Sequence, residues 1–447
     1  MKVKKIIAIA LAATLSTSIL ASCNGGGTST ENTSKTENKT LKVAAIETAY
    51  GTEIWKKVIA EFEANNPGVK VELTMDKNLE TVIGSKMKSG DYPDVVHLAT
   101  GRKDALTETM TKDNAIRDLS EMLNLTIPGE NVKVKDKIIP GFLDTLGTNP
   151  YSDGKTYLAP MFYGPCGLFY DANLLKSKGW EVPKTWDEMW ALGDKAKAEG
   201  IALFTYPTTG YFDAFIYALL SEVGGADFYN KAMNYEDGIW ETPQAKQVFE
   251  IVAKLGTYTE KTTVANANNE NYLKNQQLVL DGKALFMPNG TWVTGEMKEA
   301  GRREGFEWGF TALPAVKDGG DRYSYTFFEQ MWSPKEAKNP ELADKFMAFC
   351  YSDKAAEIFA SAATPAVQPI KDMSSKLTGE NKLFYSIYDS GAKAAMGGFA
   401  TTDPVEGVSI SDELFVAVDS IVSGKKTVDQ WQAAVEKASD ALRAAKK

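Results

Sequence analysis

The chain has a single histidine, His97, and only three cysteines, Cys23, Cys166 and Cys350. That scarcity excludes several chemistries. A zinc site of the His/Cys type cannot be assembled from these residues at a normal ligand spacing. A Ser-His-Asp or Cys-His arrangement would have to use His97 alone. Cys166 and Cys350 lie far apart and are expected as buried free thiols, with one disulfide as the alternative. The net charge is −9 and no block of Lys or Arg stands out, so nucleic acid is not an expected partner. Nothing after the first residues is long and apolar enough to span a bilayer. No segment repeats at a fixed period, which excludes a solenoid. The polar run Asn266 to Asn271 lacks the acidic ligand spacing of an EF-hand, and no metal or cofactor is expected.

What is present begins at the first residue. Lys2, Lys4 and Lys5 precede an uncharged, mainly apolar run from Ile6 to Leu20. The run is short of the about 20 residues that a spanning helix needs, and it has the form of a secretory signal. Leu20-Ala21-Ser22-Cys23 resembles the lipobox of bacterial lipoproteins. That resemblance implies a signal peptide at 1–22 and a lipid on Cys23, which becomes the new N-terminus. The alternative is an ordinary signal with an incidental cysteine. Asn24 to Thr40 contains no apolar residue, so residues 23–40 are expected to form a lipidated tether. The protein is therefore expected at the outer side of the cell membrane, or in a periplasm if the cell has an outer membrane.

The remaining chain exceeds the about 250–300 residues at which single cores stop growing, so two lobes are expected. Leu41 to Ile46 reads as a buried strand. Trp55, Val58, Ile59 and Phe62 then recur at helical spacing, with Thr52 as a candidate N-cap. Val69 to Leu73 alternates as a second strand, a helix is expected over Leu79 to Met87, and Asp94 to Leu98 is a third strand. This order predicts a parallel sheet covered by helices on both faces. Ligands in such sheets sit at the carboxyl ends of strands, here Thr48 to Gly51 and Leu98 to Arg102. Further on, Thr156 to Tyr170 is a long extended run. Thr185 and Glu188 have capping-box spacing.

The order of motifs resembles the extracellular sugar-binding proteins of ABC importers, the maltose-binding type. The resemblance rests on Asn66-Pro67-Gly68-Val69-Lys70-Val71, Tyr92-Pro93-Asp94-Val95-Val96 and the segment Gly154 to Met189 that ends in Pro183-Lys184-Thr185-Trp186-Asp187-Glu188. It continues through Thr208 to Phe228, Gly282 to Trp292, Phe310 to Gly320 and Asn339 to Ser352. It implies an α/β fold of two lobes, each a mainly parallel sheet flanked by helices, joined by crossing strands. The lobes would comprise 41–158 plus 310–363, and 159–309 plus 364–447. It also implies a carbohydrate ligand, the transmembrane subunits of an ABC permease as partners, a monomer, and no catalysis. Met287 to Trp292 with Glu296-Met297 resembles the subgroup that takes N-acetylglucosamine and chitobiose.

A pyranose has an apolar face and a rim of hydroxyls, so it calls for aromatic platforms and hydrogen-bonding groups. Trp292, after Asn289 and Gly290, matches the family's stacking Trp; the alternative is a core Trp beside a turn. Tyr211 and Phe212 match its ligand-lining aromatic pair. Asp213 either takes hydroxyls or caps the following helix. Tyr50, Thr48 and Glu47 follow the first strand. Arg102, with Thr100 and Gly101, follows the third. Tyr163 lines the cleft floor or packs the hinge. Glu329 is the favoured carboxylate in the cluster Phe327 to Gln330, and Asp403 and Phe399 are further candidates. His97 reads as a core residue.

Two other classes compete. An exported glycoside hydrolase would need two carboxylates across a scissile bond, but no glycosidase motif appears and the element order is not an eight-fold βα barrel. A lipoprotein that senses or adheres would capture sugar in the same way as an importer's binding protein.

Overall fold

The computed structural model describes residues 39–446 except 103, 144 and 363. Cys23, the signal peptide and most of the tether lie outside the described residues.

The chain opens with strand β1 (Lys39–Ile46), helix Glu53–Asn65, β2 (Val69–Asp76), helix Leu79–Lys88 and β3 (Val95–Leu98). Both β2 and β3 run parallel to β1. β1 begins at Lys39 rather than Leu41 because Lys39 and Thr40 already pair with Val69 and Lys70. The first helix buries Trp55, Val58, Ile59 and Phe62, the stripe its periodicity predicts, and Ile54 besides. Thr52 does not cap it. Its φ of −82° and ψ of −28° are helical, so the hydroxyl is turned away from the free N–H groups.

The strand β4 (Ala159–Asp171) is the backbone of the remainder. Its first part, Ala159 to Pro165, pairs antiparallel with β8 (Tyr323–Trp332). Its last part pairs with β6 (Ala284–Gly290) and β7 (Trp308–Thr311). Parallel pairing returns where β5 (Ala202–Phe204) meets β6 and where β9 (Lys393–Ala395) meets β8. The strand order β2-β1-β3-β8-β4-β6-β5 makes β8 and β4 the strands that join the two flanking groups.

Helix Trp186–Ala198 starts with the capping box expected at Thr185 and Glu188. Helix Phe212–Met233 breaks at Gly225, whose φ of 74° only glycine adopts without strain. One large core runs from Val43 and Trp55 through Met161 and Phe162 to Phe169, Phe310 and Phe384. A second gathers Trp186, Phe204, Phe215, Phe249 and Trp431. Cys350 belongs to the first core and Cys166 to the second, and both are free thiols. Burial in apolar surroundings pushes both thiols up, so neither is poised to react.

Candidate functional site

A cavity of about 600 Å³ opens where β4 and β8 pass each other. Tyr50 enters from the loop after β1, and Ala99, Thr100 and Gly101 from the loop after β3. These are the carboxyl ends of parallel strands, where backbone groups and side chains are free to meet a ligand. Phe162, Tyr163 and Gly164 of β4 and Tyr325 to Glu329 of β8 supply further wall. Asp213 and Tyr217 come from the first turns of helix Phe212–Met233, and Pro365 to Val367 and Gly397-Gly398 complete the lining. A second depression of about 750 Å³, lined by Glu61, Leu125, Gly129 and Lys345, lies away from these strand ends.

Three aromatic residues meet beside the cavity. Trp292 and Phe327 are 39% and 47% exposed, unusual for such large apolar rings. The Trp292 ring centre lies 6.1 Å from Tyr211 and 5.9 Å from Phe327, and its Nε1 donates to the Tyr211 hydroxyl at 3.3 Å. Such rings present flat faces suited to the apolar side of a sugar.

Two carboxylates line the cavity. Tyr50 donates its hydroxyl proton to Glu329 Oε2, and His97 Nε2 lies 2.9 Å from the same oxygen. Burial works to raise Glu329, but His97, Tyr50 and Arg102 outweigh it and hold the carboxyl below its usual range. The reciprocal effect raises Tyr50, first through burial and then through the Glu329 charge. Asp213 behaves oppositely: burial pushes it up to about 6, only partly offset by the Ala214 N–H that it accepts.

The other expected site residues are distributed as follows. Tyr163 lines the cavity, while its ring packs against Phe142, Tyr385 and Tyr388 at 4.9, 4.9 and 5.4 Å. Phe212 is not a lining residue. It is 1% exposed, packed between Tyr206 and Phe215, because the helix start turns Tyr211 outward and Phe212 inward. Asp213 does not cap its helix; it sits inside the first turn. Asn289 is buried opposite Gly167 in the ladder and accepts from the Gly290 N–H at 2.8 Å, and its Nδ2 has no partner. Arg102 does not line the cavity, since its guanidinium donates to Glu80 at 2.9 Å and to the Lys77 carbonyl at 3.3 Å. Glu47 and Thr48 lie just before Tyr50 but outside the lining; the Glu47 N–H continues the sheet to the Asp76 carbonyl. Asp403 is exposed and its N–H donates to the Ala445 carbonyl, so it belongs to the C-terminal end of the chain rather than the cavity. Phe399 stacks on Tyr235 in the core, and the neighbouring Gly397-Gly398 reaches the cavity instead. Sequence reasoning missed Tyr217 and Tyr325, which give no motif signal, and read His97 only as core.

Residues 57–382 match the profile of a family described as bacterial extracellular solute-binding protein. The chain belongs to that family. Among curated relatives of this solute-binding protein, the diacetylchitobiose binding protein NgcE of Streptomyces coelicolor is 24% identical over 329 residues, 72% of this chain and 68% of the relative. The maltodextrin-binding protein MdxE of Bacillus subtilis is 24% identical over 424 residues, 91% of this chain and 90% of the relative. Among solved structures, the bacterial solute receptor AcbH superposes with a TM-score of 0.66 at 18% identity, covering 90% of this chain and 96% of the other. RafE from Streptococcus pneumoniae, in its apo form, gives 0.62 at 17% identity, with 90% and 99% covered. The fold is thus that of solute-binding proteins, and the family and these relatives are binding proteins rather than enzymes. Among the described residues, no helix is long and apolar enough to cross a membrane.

Proposed function

We propose that this solute-binding protein captures a saccharide outside the cell, without turnover, and delivers it to the membrane subunits of an ABC importer. One observation carries the reading: a single cavity combines aromatic rings with two carboxylates, and no cationic side chain stands among its described lining residues. Rings receive the apolar face of a pyranose, and carboxylates accept its hydroxyls through charge-assisted bonds. The names of relatives support the ligand class, since they are called diacetylchitobiose binding, maltodextrin-binding and multiple sugar-binding proteins. The first of these agrees with the chitobiose-type resemblance around Met287 to Trp292.

Capture works by closure. The lobes would be 41–158 plus 310–363 and 159–309 plus 364–447, with β4 and β8 as the hinge. Sugar touching both lobes selects the closed state, and the permease recognises that state. A lipid on Cys23 keeps the monomer at the membrane through its polar tether.

Calorimetric titration of the mature chain with mono- and disaccharides, followed by analysis of the recovered sugar, tests the reading. Saturable binding with intact sugar supports it; release of new reducing ends overturns it in favour of a glycoside hydrolase. Scattering measured with and without the bound sugar should show a smaller radius of gyration in its presence. For the anchor, Cys23→Ala should release the protein from membranes into the medium, and retention at the membrane overturns the lipid assignment.

A further inference from the structure

His97 sits on β3 opposite Met331 of β8, and Glu329 is two residues along β8. Two residues along a strand is the same face, so the antiparallel register sets the imidazole and the Glu329 carboxyl as diagonal neighbours. The imidazole has no solvent exposure. Trp55 and Phe162 wall it in, with ring centres at 5.2 and 5.1 Å. Its Nε2 is 2.9 Å from Glu329 Oε2, yet neither ring nitrogen makes a well-angled hydrogen bond. A buried polar ring with no better partner is costly unless something compensates. The group it faces is the Glu329 carboxylate, which lines the cavity.

We infer that His97 is a positioning residue that, from behind the cavity wall, fixes the direction and charge of Glu329 for the incoming ligand. Two groups engage Oε2 from the protein side: His97 from β3 and the Tyr50 hydroxyl from the loop after β1. Arg102 adds its charge from the loop after β3, and Phe162 on β4 stands opposite Glu329 in the ladder. Oε1 has no hydrogen bond among the described residues and is left for ligand. The Tyr50 hydroxyl keeps its proton and points it at Glu329, so toward the cavity its oxygen too only accepts. This end of the site therefore takes groups that donate, such as sugar hydroxyls or an ammonium, and disfavours carboxylated or phosphorylated sugars. The ligand class deepens the saccharide reading above and rests on it; the His97–Glu329 coupling does not.

The test has two arms. In the first, the Glu329 side-chain carboxyl is followed by carbon-13 NMR through an acid titration of the unliganded mature chain. His97→Leu should move its midpoint to higher pH, because burial remains and the imidazole is lost. His97→Asn, too short to reach Oε2, should do the same in a polar variant that guards against misfolding. His97→Gln, which can reach with an N–H, should stay nearer the wild type. An unmoved midpoint in both His97→Leu and His97→Asn overturns the inference. In the second arm, affinity for N,N′-diacetylchitobiose and maltotriose is measured calorimetrically. His97→Leu should weaken the bound sugar on the order of tenfold. In a Glu329→Gln background the same change should cost little more, since His97 acts through Glu329. Fully additive losses overturn the positioning role. If neither sugar binds the wild type, the ligand reading fails while the NMR arm still decides the coupling.

Discussion

The Trp292 indole lies directly over Gly290: a Cβ at position 290 would sit 2.0 Å from Cζ3 of the ring. The turn after β6 thus gives the platform its seat only because the residue beneath it has no side chain. Gly290→Ala should lift the ring off its place beside Tyr211 and Phe327. Because the ring is exposed it can give way, so thermal melting should change little while sugar affinity drops. A variant that binds sugar as the wild type does would show that the seat over Gly290 does not set the platform.

Trp292 and Phe212 make opposite demands. Trp292→Ala removes an already exposed ring, so the unliganded protein should melt nearly unchanged while sugar binding weakens by roughly tenfold or more. Phe212→Ala empties a buried core position and should cost about 3–5 kcal/mol of stability. Melting curves and calorimetry on the two variants separate platform from core. Equal loss of stability in both would refute the assignment.

Asp213 gives stability a pH dependence. Its folded value, pushed up to about 6 by burial, lies above its unfolded value. Its contribution is therefore complete below the unfolded value of about 3.9, and is lost as pH rises through about 6. After allowance for its partial exposure, the change is on the order of 1–2 kcal/mol. Asp213→Asn should remove this component, so the wild type loses stability relative to the variant between about pH 4 and pH 7. Parallel melting profiles for the two proteins would contradict the burial argument.

The two threonines that precede helices provide a local comparison. Thr185→Ala breaks a capping box and should cost about 1 kcal/mol. Thr52→Ala removes a hydroxyl that caps nothing and should change stability by less than about 0.5 kcal/mol. Chemical denaturation resolves the difference.

These contrasts mark where sequence reasoning reaches its limit. The stripe of Trp55, Val58, Ile59 and Phe62 was legible because helix burial repeats with the chain's own period. The strand ends at Tyr50 and Thr100 were legible because parallel sheets present ligands there. Tyr211 and Phe212 are adjacent and chemically alike, so sequence could not tell which turns inward. Thr52 has the right residue type for a cap, but its backbone angles were decided by the loop before it.

By itself, the sequence determined the alternation of strands and helices, the family, and an inventory too poor in His and Cys for a metal site of that type. The first and the last follow from local period and composition, and the family from the resemblance of its motifs in order. Only the tertiary structure decided that His97 stands behind Glu329, that Arg102 is turned to Glu80, and that Tyr217 and Tyr325 reach the cavity. Each depends on strand register or on a contact between segments far apart in the chain, and neither is written in any short stretch of residues.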